Sequence, residues 1–192
     1  MTKMPRPALV VPEQTSPPVR EALAALPQGL GVFRMLAHAE TAFRPWLALG
    51  GSLLGSLQLD PALRELAILR VAVVAGCDYE RIQHEAIAAG VGARPDQVAA
   101  LAALRTAGKE FDRREELVLR FVDEVIANDG SAAASVAEVE EALSAREVVE
   151  LLLVISQYYG LALLLNTTRV EPDPPAAMAV VEAAQSNRDA QP

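Results

Sequence analysis

Residues 59–84 decide the fold, and they read LDPALRELAILRVAVVAGCDYERIQH. Asp60 followed by Pro61 is a typical helix start, because aspartate caps free backbone N–H groups and proline needs no N–H at the first helical position. The residues that follow are almost continuously apolar, which predicts a buried helix over 61–75. Polar and apolar residues then mix at helical spacing, which predicts a second helix over 78–89.

Helix signals recur along the rest of the chain. Capping-box patterns, in which the N-cap and N3 side chains satisfy each other's backbone donors, begin at Asp112, Ser135 and Ser144. Gly90 and Gly130 follow helical segments and are typical C-terminal stops. No stretch alternates with period two for long enough to predict a strand. The expected helices are 18–26, 31–38, 41–57, 61–75, 78–89, 95–107, 113–127, 135–143 and 145–166.

The pattern as a whole predicts an all-α, single-domain helical bundle. Residues 1–17 carry four of the thirteen prolines, so we expect an extended N-terminal arm there. The helical domain is expected over 18–170. The polar residues at the end of the chain predict a flexible C-terminal tail over 171–192.

Composition limits the classes of function. Apolar residues make up 52% of the 192-residue chain and aromatics only 4%, which suits close-packed helices. A net charge of −8 opposes binding to phosphate backbones and anionic lipids, so neither nucleic acid nor a membrane is an expected partner. The longest apolar stretch, 148–165, contains Glu150, and we interpret it as a buried helix or subunit contact rather than a membrane span. A single cysteine, Cys77, suits the reducing cytoplasm.

The only cysteine and one of the two histidines lie seven residues apart, at Cys77 and His84. On a helix they share nearly one azimuth, with backbones roughly 10 Å apart, and Glu80 lies at neighbour spacing from both. This spacing suggests a relay from Cys77 through Glu80 to His84, with room for a water. A helix start at Cys77 favours the thiolate, whereas a nearby Glu80 carboxylate opposes it, and the sequence leaves open which effect wins.

Two segments of the chain carry a family resemblance. Residues 59–71, followed by Cys-x-Tyr-Glu-x-x-Gln-His and Ala-x-x-Ala-Gly over 77–90, resemble the core motif of the carboxymuconolactone decarboxylase-like superfamily. The segments 33–38 and 158–166 resemble its flanks, so the resemblance covers roughly 28–170. It implies an all-helical fold and assembly into a homo-oligomer, usually a trimer or hexamer.

Alkylhydroperoxidase D, the peroxidase branch of this superfamily, uses a glutamate, a Cys-x-x-Cys pair and a histidine. By motif these fall on Glu65, Cys77 and His84, whereas Glu80 stands in place of the second cysteine. The resemblance therefore implies a thiol-dependent, peroxidase-like oxidoreductase acting on a small molecule. Cys77 would be the peroxidatic thiol, and Glu80, His84 and Glu65 would form the proton relay. Because Glu80 cannot close a disulfide, an external thiol or a cysteine of another chain must resolve any sulfenate.

Two alternatives remain open. The decarboxylase branch needs no cysteine, and it would give His84 and Glu80 the role of general acid and base. The candidates for binding a substrate carboxylate in that alternative are Arg64, Arg70 and Arg81, since a guanidinium matches a carboxylate. Tyr79 is a further candidate for binding substrate. The other alternative is a non-catalytic helical assembly module, in which Cys77 is inert packing.

Glu80 and His84 at i,i+4 spacing also suit a metal site completed by Cys77 and Glu65. That spacing recurs by chance in many helices. We therefore predict no metal and no cofactor.

Overall fold

The computed structural model describes residues 6–27, 29–127, 133–176 and 178–189, which form helices and turns with no strand among them. A 3₁₀ turn at Pro12–Gln14 precedes the first helix. The α-helices are α1 (Pro17–Ala24), α2 (Gly31–Leu36), α3 (Glu40–Gly55), α4 (Pro61–Val74), α5 (Asp78–Gly90), α6 (Pro95–Ala102), α7 (Arg113–Ala127), α8 (Ala133–Ala142), α9 (Ala145–Thr168) and α10 (Met178–Asp189). The all-α prediction is confirmed.

Several predicted helix starts are confirmed by their hydrogen bonds. The Asp60 carboxylate caps α4 by accepting from the Leu63 N–H at 2.9 Å. A reciprocal capping box opens α9 at Ser144. A second capping box opens α7, where Asp112 and Glu115 each accept the other's backbone N–H at 2.8 Å.

Other predicted boundaries differ from the structure. Ser135 lies inside α8, which begins at Ala133, so it is not an N-cap. The predicted stop at Gly130 lies outside the described residues. Helix α6 ends at Ala102 rather than at residue 107, because Leu104 adopts a left-handed conformation with φ of 63°. That conformation cannot continue a right-handed helix.

Helix α4 forms the centre of the bundle and packs against α5, α6, α7 and α9. Its apolar side chains on several faces are fully buried, among them Leu66, Ile68 and Val71. A fully buried side chain of this size contributes about 1.5–3 kcal/mol relative to an exposed one. This all-round burial explains why the sequence of α4 is almost continuously apolar, and it gives the neighbouring α5 a rigid support.

The C-terminal region contains a helix where the sequence predicts a flexible tail. Helix α10 packs against α3 and α5, and its Val181 is buried. A side chain at Gly90 would meet Met178 at under 3 Å, so this glycine admits the close approach of α10 to α5. The polar residues that dominate the end of the chain obscure the short apolar face that docks.

Helix α9 is long and apolar enough to cross a membrane, judged by length and composition alone. Its Glu150 is buried and accepts hydrogen bonds from the Leu59 N–H and from Arg146, both at 2.8 Å. The helix also packs along α4 in the core. These contacts are those of a core helix in a soluble domain. The opposite side of α9 is an exposed apolar face made of Val149, Leu152, Leu153 and Leu163.

The residues before α1 lie along α2 without forming a helix of their own, apart from the 3₁₀ turn. Val10 and Arg34 exchange two hydrogen bonds, from the Val10 N–H at 3.3 Å and from the Arg34 Nε at 3.0 Å. The ring of His38 lies 2.7 Å from the Ala8 carbonyl oxygen. The N-terminal segment is therefore docked on the side of the bundle that contains the candidate site.

Candidate active site

A tight turn between α4 and α5 sets the geometry of the site. Gly76 has a φ of 61°, a conformation that a side chain disfavours by roughly 1 kcal/mol or more. The Cys77 N–H bonds back to the Ala72 carbonyl at 2.8 Å, which closes the turn. Helix α5 then packs against α4, and this contact brings His84 of α5 opposite Glu65 of α4.

Glu65 and His84 form a buried hydrogen-bonded pair. Glu65 is fully buried, and its Oε2 lies 2.7 Å from the His84 Nδ1. Its Oε1 accepts from the Arg64 Nε at 2.9 Å. Arg64 is held in turn by the Leu54 carbonyl at 2.8 Å. With Nδ1–H donating to Glu65, the His84 Nε2 carries the lone pair and is the free basic atom.

The environment of Glu80 is different from that of Glu65. Glu80 is only 2% exposed, and neither of its carboxyl oxygens has a hydrogen-bond partner among the described residues. Burial raises the pKa of Glu80 from 4.5 to about 8. The Cys77 thiol lowers this pKa in part, although it does not reach hydrogen-bond geometry with the carboxyl oxygens. Glu80 is therefore protonated through most of the neutral range and can act as an acid.

Cys77 lies at the N-cap of α5, as expected, but its thiol is buried. It packs in an apolar cluster with Val32, Phe33, Ala162 and Leu165. Burial raises the pKa of Cys77 to about 11, and the charge of Glu80 adds to this effect. The backbone N–H groups at the helix start act in the opposite direction but do not compensate. The structure thus answers the question that the sequence left open: the thiol form is favoured.

A cavity of about 400 Å³ lies between α1, α2, α3, α5, α9 and α10. Most of its wall is apolar, and its polar side chains are Glu21, Arg44, Ser52, Tyr79, Glu80, Gln83, His84 and Tyr158. The ring of Tyr158 meets the His84 ring edge-on, with centroids 4.8 Å apart. Cys77 and Glu65 do not line this cavity. His84 and Glu80 therefore face the space that a substrate would occupy, whereas the thiol does not.

The segment between α9 and α10 is fixed to α5 by hydrogen bonds. The Tyr79 hydroxyl donates to the Asp173 carboxylate at 2.6 Å, which also accepts from the Gly31 N–H at 2.5 Å. Gln83 donates to the Asp173 and Pro174 carbonyls and accepts from the Ala176 N–H. Burial, together with Asp173, raises the pKa of Tyr79 far above its usual range, so Tyr79 stays neutral. These contacts place α10, with Val180, in the cavity wall.

Three arginines were expected to bind substrate, and the structure places all of them away from the cavity. Arg64 is buried against Glu65. Arg70 forms a bidentate pair with Asp123 at 2.6 and 3.0 Å. Arg81 pairs with Asp78 and Glu85 on the outside of α5. Each guanidinium already has a carboxylate partner, and none of the three lines the cavity.

The predicted relay is also only partly assembled. Glu65 and His84 are joined directly, but no hydrogen bond links Cys77, Glu80 and His84 to one another in the described part of the chain. Tyr79 does line the cavity, as predicted for a substrate-binding residue. Within the described residues, no three His, Cys, Asp or Glu side chains converge as a metal site would require.

Arg44 and Trp46 face the cavity from α3, and no sequence motif predicted a role for either residue. They flank Pro45, a proline inside the helix, and Trp46 is the only tryptophan of the chain. An arginine and a lone tryptophan around an interior proline are an unusual local pattern. That pattern is the signal that could have pointed to this wall.

The fold is an all-helical bundle with a buried Glu65–His84 pair and a second buried carboxyl, Glu80. The sequence model of the carboxymuconolactone decarboxylase family matches residues 40–124, from α3 into α7. Over these residues the chain is similar to that family. No curated protein matches the sequence.

Two solved structures share this fold. One is an uncharacterized peroxidase-related protein with an alkylhydroperoxidase AhpD core, from Ralstonia eutropha JMP134. It is 18% identical with a TM-score of 0.74, and the alignment covers 88% of this chain and 92% of that one. The other is an uncharacterized peroxidase-related protein from Silicibacter sp. TM1040. It is 17% identical with a TM-score of 0.71, and the alignment covers 90% and 96% of the two chains. At these identities the likeness shows the fold.

Proposed function

We propose that the protein is an enzyme that transfers protons at a carbon atom of a small molecule, as decarboxylases and isomerases do. The observation that carries this proposal is that His84 and Glu80 both line the same cavity. One residue offers a proton acceptor and the other a proton donor. The matching family model supports a decarboxylase-like activity, since the decarboxylase branch of that superfamily removes carbon dioxide without using a thiol.

The His84 Nε2 is the base in this mechanism. The Glu65 carboxylate accepts from Nδ1–H, orients the ring and stabilises the imidazolium that forms when Nε2 takes a proton. Arg64 fixes Glu65 in turn. The Tyr158 ring lies perpendicular to the His84 ring, with centroids 4.8 Å apart, and this contact restricts the orientation of the base.

Glu80 is the acid. Because its pKa is raised to about 8, it keeps a proton at neutral pH and can donate it to the substrate carbon or oxygen. A proton taken by His84 at one substrate atom and returned by Glu80 at another gives isomerisation. Loss of carbon dioxide followed by protonation from Glu80 gives decarboxylation.

A thiol-dependent peroxidase is the second candidate. It is favoured by the peroxidase-related neighbours of the same fold and by the interaction of Cys77 with Glu80. The reaction would oxidise the Cys77 thiolate to a sulfenate with reduction of the peroxide to an alcohol. One external thiol would then form a mixed disulfide with Cys77 and release water, and a second would displace it as the external disulfide and restore the Cys77 thiol. A thiol of pKa about 11 that is 2% exposed is a weak nucleophile at neutral pH. We therefore place this reading second, and for both readings we propose a cytoplasmic enzyme without a metal or cofactor.

The test is a proton-exchange assay with small carboxylic acids. Carboxylated lactones, β-keto acids and β,γ-unsaturated acids are incubated with the protein in deuterated water, and proton NMR follows deuterium uptake at carbon and loss of carbon dioxide. Activity should fall at least about 100-fold in His84→Ala and in Glu80→Gln, since each removes a proton-transfer group. It should persist in Cys77→Ser. Glu85→Gln is the matched control, because Glu85 lies on the same helix and pairs with Arg81 outside the cavity.

The same variants decide between the two candidates. Thiol-supported reduction of an alkyl hydroperoxide that disappears in Cys77→Ser, without carbon-bound exchange, would overturn the acid–base proposal in favour of the peroxidase. If wild type catalyses neither reaction, both proposals fail and the non-catalytic helical assembly module becomes the better interpretation.

A further inference from the structure

Arg44 is the only cation that lines the cavity within the described residues. It is exposed, and its guanidinium makes no hydrogen bond and no ion pair with any described residue. The arginines expected to grip substrate, Arg64 and Arg81, are by contrast bound to carboxylates of the protein. Arg44 is therefore an anion-binding group at the solvent side of the cavity that the fold itself leaves unused.

The buried part of the cavity is lined by an acidic side chain rather than by a cation. Glu80 is 2% exposed and its two carboxyl oxygens have no partner among the described residues. A buried polar group without a partner is costly, and a ligand that pairs with it removes that cost. His84 lies on the same face of α5, one turn further along, and is also buried.

The wall between these two ends is apolar. It includes Phe33, Trp46, Leu47, Leu161 and Val180. A cavity of about 400 Å³ falls within the range of small-molecule sites. The cavity thus combines an exposed cation, a largely apolar wall, and a buried acid–base pair.

We propose that the cavity binds a small carboxylic acid with an apolar body, with one carboxylate on Arg44 and its opposite, reacting end at Glu80 and His84. The orientation of the ligand rests on the proposed acid–base function, whereas the contact with Arg44 does not. Glu21 also lines the cavity and is exposed. It forms no ion pair with Arg44, and its charge opposes an incoming carboxylate.

The lone tryptophan makes binding measurable without turnover. Trp46 lies in the cavity wall, so a ligand that enters should change its emission. The probes are hexanoate, octanoate and 4-phenylbutanoate, each compared with its neutral primary amide. Wild type should bind each acid more tightly than its amide.

Variants at Arg44 then isolate the contribution of its charge to binding. In Arg44→Gln the Kd of the acids should rise about tenfold, while the Kd of the amides stays unchanged and shows that the cavity is intact. Arg44→Lys should recover part of the loss. Arg81→Gln is the matched control and should leave both Kd values unchanged, and Glu21→Gln should tighten the acids a few-fold.

Equal binding of acid and amide by wild type, or an acid Kd that is unchanged in Arg44→Gln, would overturn this inference. So would the absence of any binding of the three acids. Because binding is measured without chemistry, the effect of Arg44 should persist in Cys77→Ser and in His84→Ala. If Arg44→Gln does not change acid binding but His84-dependent exchange is observed, only this inference is refuted. If Arg44→Gln weakens acid binding but no His84-dependent exchange is observed, only the acid–base function is refuted.

Discussion

Replacing Glu80 by glutamine should make the stability of the protein less sensitive to pH. The carboxyl has an ordinary pKa of 4.5 and a folded-state pKa of about 8, because it is buried without a hydrogen-bond partner. Below pH 4.5 both the folded and the unfolded chain hold the proton, so Glu80 adds no pH dependence there. As the pH rises, the unfolded chain loses the proton first, and the folded state loses stability until the pH reaches about 8.

The magnitude follows from this interval. Each pH unit between the two pKa values costs about 1.4 kcal/mol, so the interval from 4.5 to 8 corresponds to about 4–5 kcal/mol. Glutamine has nearly the same shape and does not ionise. Between pH 5.5 and 7.5, the free energy of unfolding of wild type should therefore fall by about 3 kcal/mol relative to that of Glu80→Gln.

The assay is urea unfolding of both proteins at a series of pH values. Glu150→Gln is the control with the opposite sign. Burial alone would raise the pKa of Glu150, but Arg146 and the Leu59 N–H lower it below its usual range. Glu150 therefore stabilises the fold above its ordinary pKa, and this advantage over Glu150→Gln should shrink only in acid. A difference between wild type and Glu80→Gln that does not change from pH 5.5 to 7.5 would show that Glu80 is solvated or paired, and would refute the argument.

Three further predictions concern other parts of the molecule. At pH 7.5 a thiol with a pKa of about 11 has about 100-fold less thiolate than one with the ordinary pKa of 9.0. Iodoacetamide should therefore alkylate Cys77 at least 100-fold more slowly in the native protein than in the unfolded chain, as followed by intact mass. Ending the chain at Ala176 removes α10 and the buried Val181, and urea unfolding should show a loss of about 1.5–3 kcal/mol for that side chain alone. The exposed apolar face of α9 should join copies of the chain, so wild type should sediment well above the 20.4 kDa of one chain, and Leu152→Glu with Leu153→Glu should reduce its mass.

Each of these predictions has a control. For alkylation it is the same chain in urea at the same pH, and equal rates in the two states would contradict the buried thiol. For α10 it is removal of residues 190–192 only, which should leave the stability unchanged. For assembly it is Leu104→Glu, which changes an exposed leucine outside the face of α9 and should leave the sedimentation unchanged. A wild-type protein that sediments as a monomer at micromolar concentration would contradict assembly through α9.

The helical architecture was predictable because its signals are local. The Asp60–Pro61 start, the capping boxes at Asp112 and Ser144, and the apolar periodicity each report on a few neighbouring residues. Helix α10 was missed for the same reason. Its apolar face is short, and it is stabilised by contacts with α3 and α5 that no local pattern contains.

The residues of the candidate site were predictable from the sequence, but the directions of their side chains were less so. Spacing placed Glu80 and His84 on one helical face, and both line the cavity. The same argument gave Cys77 the azimuth of His84, but Cys77 is the N-cap, with φ of −99° and ψ of 92°. Helical periodicity does not extend to a residue with this backbone, and the thiol turns into the apolar cluster instead. The role of Arg44 depends on which face α3 turns toward α5, and tertiary packing alone decides that.

The cost of Glu80 is itself an argument about function. A carboxyl that is buried without a partner lowers stability across the neutral range, and an apolar residue of similar volume would remove that cost. Structural packing alone does not explain it, since most of the surrounding cavity wall is apolar and neither carboxyl oxygen has a partner among the described residues. Groups that break the rules of burial at a cavity are typical of sites where chemistry, rather than stability, determines the residue. With the thiol withdrawn from the cavity and His84 facing it, we propose that the carboxyl that this site keeps at the expense of stability serves as a proton donor.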